Sequence, residues 1–315
     1  MINDIEKEKN TQNKIKSGFV AILGRPNVGK STLMNHLIGM KIAAVSKRAQ
    51  TTRKRIQTVY TDERGQIIFL DTPGINKAET KLGEYMLDEA TDTLKTADLI
   101  MWIIEPSSFI GAGERSIVDM ISKVSGVPVI LVINKCDTCE QSKLSQTYKL
   151  YNDYMNEVAG KSFDNSANVS ATEGTGQKEL MNMIYDMFPE GPMYFDEDTV
   201  TDETEREIAA EFIREKCLRN LDKEIPHGIA VIVDKMRSRP DGSLVDIEAT
   251  IICERESHKG IIIGKNGAML KKIGTQSRHD IEDMLQQRVN LKLWVKVRPG
   301  WRDKKLYMEE YGYKK

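Results

Sequence analysis

Five short segments between Gly24 and Ala171 carry residue types suited to holding a nucleoside triphosphate. Gly24-Arg25-Pro26-Asn27-Val28-Gly29-Lys30-Ser31, followed by Thr32, has the phosphate-binding spacing G-x-x-x-x-G-K-S. Its glycines let backbone N–H groups turn inward around a β-phosphate, and a helix N-terminus behind them adds its positive end. Lys30 brings a mobile cation to the β- and γ-phosphates, and the Ser31 hydroxyl is placed to ligate Mg²⁺. Asp71-Thr72-Pro73-Gly74 then offers a carboxylate able to hold Mg²⁺ through its water shell. The Gly74 N–H is expected to meet the γ-phosphate and to move when that phosphate leaves.

Two further segments choose the base. In Asn134-Lys135-Cys136-Asp137 the Asp137 carboxylate accepts two hydrogen bonds from guanine N1–H and N2–H₂. Adenine lacks that donor pair, so the acceptor would be left unpaired. Lys135 is expected to pack its stem over the ring and Asn134 to tie this loop to the glycine loop. Ser170-Ala171 follows Val169, with the Ala171 N–H in reach of guanine O6. Together the segments imply GTP rather than ATP.

These residues need a scaffold that brings them to one edge. Apolar runs at 19–23, 67–70, 99–104 and 129–133 read as buried strands, each stopped by Gly, Asp, Glu or Asn. Helical spacing appears at 31–38, 82–94, 114–124, 148–158 and 178–188. Strands alternating with helices predict an α/β domain with a mainly parallel sheet covered on both faces. Ligands of such sheets bind where strands end at their carboxyl edges, which is where the polar motifs fall.

Two prolines and a glycine in Pro189–Asp198 break the pattern and predict a linker. Beyond it a helix is expected over 201–220, with Thr201 and Thr204 as candidate N-caps. Strands over 229–235 and 244–252, a short helix, a longer helix over 268–285 and a strand over 291–297 follow. Gly264-Lys265-Asn266-Gly267 joins the two helices, preceded by Ile261-Ile262-Ile263. This segment resembles the K-homology (KH) RNA-binding signature, whose G-x-x-G loop clamps about four single-stranded nucleotides. The resemblance makes Ile261, Ile262 and Ile263 an apolar floor for bases. Gly264 and Gly267 give close approach to the phosphate chain, Lys265 and Lys271 supply charge, and Asn266 completes the loop. The element order is that of an α+β type II KH domain. Trp294 alternates with apolar neighbours and is either core or a surface strand residue.

The chain of 315 residues has a net charge of −1, but residues 206–315 carry 23 basic against 17 acidic residues. That asymmetry suggests a polyanion partner for the second half, a solvated basic surface being the alternative. Mean hydropathy is −0.44, and no apolar run approaches the roughly 20 residues that cross a bilayer. The polar N-terminus lacks the apolar centre of a signal peptide. Cys136, Cys139, Cys217 and Cys253 are expected to be free thiols, since no second pair completes a metal site with C-x-x-C.

The nucleotide motifs resemble the translation-factor-related branch of P-loop GTPases over residues 17–190. That resemblance implies a Mg²⁺-binding threonine in a first switch, here Thr52 within Gln50-Thr51-Thr52-Arg53, with Thr51 as the alternative. Ile75 stands where many GTPases have a water-orienting glutamine. The resemblance therefore implies another source of transition-state charge, a K⁺ ion held beside Asn27, and slow intrinsic turnover. One GTPase domain followed by one type II KH domain, with Leu293–Arg298 and Gly300-Trp301 after it, resembles the Era family of bacterial GTPases. The expected division is a flexible tail (1–16), a GTPase domain (17–188), a linker (189–200) and a KH domain (201–315). The resemblance implies a cytoplasmic monomer that binds GTP and GDP and, near its 3′ end, 16S ribosomal RNA. It acts in 30S assembly and rRNA processing, and DNA is not an expected partner. The alternative is a regulator at the inner face of the cell membrane, its basic half on anionic lipid.

Overall fold

The structure, a computed structural model, describes residues 15–46, 51–74, 80–222 and 224–314. The first half is a six-stranded sheet in the order β2-β3-β1-β4-β5-β6. Its strands are β1 (Lys16–Leu23), β2 (Ile56–Asp62), β3 (Gly65–Asp71), β4 (Leu99–Ile104), β5 (Val129–Ile133) and β6 (Asn165–Asn168). All neighbours run parallel except β2 against β3. β4 and β5 are apolar throughout and buried throughout, as a strand covered on both faces requires. Five helices cover the sheet: α1 (Lys30–Ile38), α2 (Lys81–Thr96), α3 (Ala112–Ser122), α4 (Gln141–Ala159) and α5 (Gln177–Met187).

The second half has α6 (Glu205–Asn220), the antiparallel pair β7 (Ala230–Ser238) and β8 (Val245–Cys253), and α7 (Glu256–Ile263). It continues with α8 (Ala268–Leu285), β9 (Val289–Val297) and α9 (Lys305–Glu310). β9 lies parallel to β8, a pairing that needs a long crossover; α7 and α8 supply it. Thr204 caps α6 in a reciprocal box with Glu207, so the helix begins four residues later than expected. Thr201 instead donates from Oγ1 to the Gln57 carbonyl at 2.7 Å.

Residues 189–200, expected as a linker, run along the edge of the first sheet. The Val59 N–H donates to the Val200 carbonyl at 2.8 Å. The buried Gln66 side chain accepts from the Tyr194 and Phe195 amides at 2.9 and 3.0 Å and donates to the Phe195 carbonyl at 2.8 Å. The two halves also share apolar cores. Ile42, Ala43 and Ile56 pack with Ile208, Phe212 and Ile229. Leu82, Tyr85 and Met86 of α2 pack with Trp301, Tyr311 and Tyr313. No described helix is long and apolar enough to cross a membrane.

Candidate functional site

β1 ends at Leu23 and α1 starts at Lys30, so the glycine loop sits at the carboxyl edge of the sheet and on a helix N-terminus. Gly29 holds φ +99, and a Cβ there would lie 2.1 Å from the Asn134 side chain. Only glycine allows that approach. Asn27 takes φ +70, a left-handed conformation that asparagine tolerates. Lys30 is buried, its Nζ donating to the carbonyls of Gly24 (3.1 Å) and Arg25 (3.2 Å). Burial pushes its ammonium pKa down, opposed by the Asp71 charge.

Three oxygens converge beside Lys30. Ser31 Oγ and Thr52 Oγ1 each lie 3.2 Å from Asp71 Oδ2 and 3.3 Å from one another. Asp71 Oδ1 is buried with no hydrogen-bond partner among the described residues. Two hydroxyls and a carboxylate with a spare lone-pair face form a hard-oxygen set that fits Mg²⁺. Burial pushes the Asp71 carboxyl pKa up, and Lys30 opposes that rise. The geometry brings Thr52, rather than Thr51, to this cluster. Thr72 is fully buried and donates from Oγ1 to the Ile22 carbonyl at 2.6 Å, fixing Asp71–Gly74 against β1.

A cavity of about 880 Å³ opens over these groups. Pro26, Asn27, Gly29, Lys30, Ser31 and Thr32 line one wall, with Thr51, Thr52 and Gly74 beside them. Lys135 and Thr172 line the far end. Asn134 Nδ2 donates to the Val28 carbonyl at 2.8 Å, and Lys135 Nζ donates to the Asn27 carbonyl at 3.1 Å. Asp137 stands exposed on the 3₁₀ turn that follows.

Some expected contacts are otherwise engaged. The Ala171 N–H, expected at guanine O6, donates to Asn134 Oδ1 at 2.9 Å and braces the loop instead. Arg25 turns away from the cavity to pair with Glu114 at 2.8 Å. Ile75, Gln50 and residues 1–14 of the expected tail lie outside the described residues. Sequence reasoning also missed Ala44, Val45, Ser46, Leu218 and Arg219, which line the same cavity. Leu218 and Arg219 belong to α6, and no spacing in the sequence connects them to a glycine loop far upstream.

In the second half, Gly264 has φ +73, and a Cβ there would meet Met269 Cβ at 2.8 Å and its N at 2.9 Å. Lys265 and Asn266 are exposed at the tip between α7 and α8. Ile262 is fully buried in the core behind the loop and cannot meet a base; Ile261 is half exposed and Ile263 partly so. A groove of about 380 Å³ runs from Gly267 and Lys271 past Arg278 to Asn290 and Leu293 on β9. Trp294 is 46% exposed, so it belongs to the open face of the sheet and not to the core.

A P-loop nucleotide site on a mainly parallel sheet, joined to an α+β domain with a G-x-x-G loop, defines a GTPase fused to a KH domain. Residues 19–135 match the family described as 50S ribosome-binding GTPase, and residues 224–302 match the KH domain. The chain is 49% identical to the GTPase Era of Clostridioides difficile (strain 630) over 95% of this chain and 98% of that one. It is 48% identical to the GTPase Era of Clostridium kluyveri (strain NBRC 12016) over 95% of this chain and 100% of the other. A crystal structure of Era with MgGDPNP and nucleotides 1506–1542 of 16S ribosomal RNA superposes with a TM-score of 0.88. It is 38% identical and covers 95% of this chain and 99% of that one. A variant of Aquifex aeolicus Era bound to GDP.AlF4- gives the same score at 37% identity, covering 95% and 99% of the two chains. The chain belongs to the Era family: it is a P-loop GTPase that hydrolyses GTP and carries a C-terminal KH domain.

Proposed function

We propose that the protein is a GTP-operated RNA clamp acting in small-subunit assembly, at the 3′ end of 16S ribosomal RNA. The observation that carries this reading is the likeness, along 95% of the chain, to an Era bound to MgGDPNP and that RNA segment. The KH half offers the matching chemistry. Residues 259–305 hold 12 basic and 4 acidic residues, and the groove beside the G-x-x-G loop is lined by Lys271, Arg278 and Asn290. Positive charge follows a phosphate backbone, while the apolar and amide groups of the groove meet unstacked bases.

In the nucleotide site, backbone amides of the glycine loop and Lys30 hold the β- and γ-phosphates. Ser31, Thr52 and Asp71 would hold Mg²⁺, which would neutralise phosphate charge. Asp137 reads the Watson–Crick edge of guanine, and the Lys135 stem packs against the ring. Asn134 keeps the base-reading loop and the phosphate loop at a fixed spacing. Asn27 would help hold a K⁺ ion, which would supply positive charge near the phosphates. Asn27→Gly removes the side chain without straining the positive φ. The expected result is loss of a K⁺-over-Na⁺ rate advantage present in the parent protein.

Loss of the γ-phosphate frees Thr52 and Gly74, and the contacts between the halves pass this change to the RNA groove. Such coupling is reciprocal. The test is RNA affinity with a GTP analogue against GDP, together with a crosslinking-and-sequencing map of bound RNA. Equal affinities with RNA leaving nucleotide affinity unchanged would defeat the switch; crosslinks away from the 16S 3′ end would defeat the assigned target.

A further inference from the structure

The segment that carries Thr52 is held mainly by the other half of the protein. Arg214 on α6 donates from Nη2 to the Thr51 carbonyl. Arg53, the residue after Thr52, donates from Nη1 to the Ile229 carbonyl and from Nη2 to the His227 carbonyl at 2.9 Å. Both guanidinium groups are buried, each residue being 1% exposed. Glu211 faces Arg214, its Oε1 accepting from Nε at 2.9 Å, so the charge on Arg214 is balanced where it sits.

The same helix grips the other end of the segment. The Val45 N–H donates to Glu215 Oε2 at 3.0 Å, and the Val45 carbonyl accepts from Arg219 Nε at 2.9 Å and Nη2 at 2.7 Å. Glu215 is itself fully buried and tied to Lys41 at 3.1 Å. Thus α6 touches both Val45 and Thr51, and Leu218 and Arg219 line the nucleotide cavity.

We propose that Arg53 and Arg214 are positioning residues for GTP hydrolysis, α6 and the turn at 226–229 being the frame that sets Thr52 against Ser31 and Asp71. A threonine hydroxyl serves a metal–phosphate site only when its backbone is fixed to a fraction of an ångström. Here that backbone is fixed by planar guanidinium forks, one on each side of Thr52, anchored outside the nucleotide domain. A lysine, a point charge on a flexible stem, does not reproduce a fork's geometry. The nucleotide domain therefore lacks a complete hydrolysis site unless α6 is docked. This inference rests on the reading of Thr52 as a γ-phosphate-state ligand, made above.

The experiment compares affinity for GDP with affinity for a non-hydrolysable GTP analogue, with steady-state turnover, in R53Q, R214K and T52A of the full chain. GDP does not call on Thr52, so a positioning defect lowers the analogue-to-GDP affinity ratio, by about tenfold, with GDP affinity and the Mg²⁺-free baseline unmoved. Turnover falls with the ratio. If R53Q loses GDP binding through misfolding, R214K, which keeps the charge beside Glu211, decides. An unchanged ratio and turnover in both arginine variants, or an equal loss for both nucleotides in R214K, overturns the proposal. A T52A protein with an unchanged ratio instead removes the underlying reading of Thr52, while a fall in T52A alone removes only the α6 frame.

Discussion

Asn134 and Val28 are joined by a 2.8 Å hydrogen bond from the asparagine Nδ2 to the valine carbonyl. It spans the gap between the loop assigned above to the base and the loop assigned to the phosphates. The spacing of the two loops is thereby set by the protein itself, and on that assignment so is the distance from base to β-phosphate. Preorganisation of this sort spares the ligand an ordering cost.

Base choice is the first consequence to test. Asp137→Asn replaces two acceptors with one acceptor and one donor. Guanine then loses a charged hydrogen bond, and GTP affinity is expected to fall about tenfold or more. Xanthine, with a carbonyl where guanine has its amine, matches the new pattern. Titrations with GTP and xanthosine triphosphate check this, and an unaltered preference for GTP would remove Asp137 from base recognition.

For the RNA groove, Lys265 is a better probe than either loop glycine. A side chain at Gly264 strains the positive φ and collides with Met269, so any loss there mixes folding with binding. Lys265→Asp leaves the backbone unstrained on an exposed tip. RNA affinity is expected to drop about tenfold and the salt slope of log K to shrink by about 1, with RNA-free GTP turnover unchanged. A slope equal to the parent's would show that Lys265 meets no phosphate.

A carboxyl between the halves titrates near neutrality. Burial, then Glu207, Asp202 and Glu211, push the Glu203 pKa up to about 7, while Lys54 opposes them. The folded protein thus holds this proton up to about pH 7, whereas the unfolded chain releases it near pH 4.5. Between those values folding binds the extra proton, so this group's contribution to stability declines as pH rises and is fully unfavourable above the window. Glu203→Gln removes the penalty, on the order of 2 kcal/mol once solvent screening is allowed for. The Tm difference between E203Q and the parent should be small at pH 5 and widen in the variant's favour towards pH 8; a difference independent of pH would discount Glu203 as its source.

The elements that carry the nucleotide motifs were plain from the chain because local and global signals agree there. Apolar runs such as Leu99–Ile104 are strands buried on both faces, and α8 spans Ala268–Leu285 as its periodicity indicates. β2 was invisible: its run Ile-Gln-Thr-Val-Tyr-Thr-Asp buries the polar residues Gln57 and Thr58, and its outer backbone is closed by Val200 and Thr201, distant in sequence. The start of α6 was ambiguous because Thr201 and Thr204 both suit a cap, and only Glu207 at the reciprocal position separates them. Arg53, Arg214 and Glu215 read as surface charges in a sequence, since burial of a charge becomes tolerable only when its partners close around it. The α6 side of the nucleotide cavity was hidden for the same reason.

The strip of chain laid along β2 has a further effect. β2 is the outermost strand of its sheet, and such borders expose amides and carbonyls that invite other chains to add on. Val200 and Thr201 already fill two of those positions. Prying the strip loose, by shortening it or by breaking the Gln66 contacts, would bare a template for self-association. Precipitation and intermolecular β-structure would then be the first sign of damage, well before any change in nucleotide chemistry.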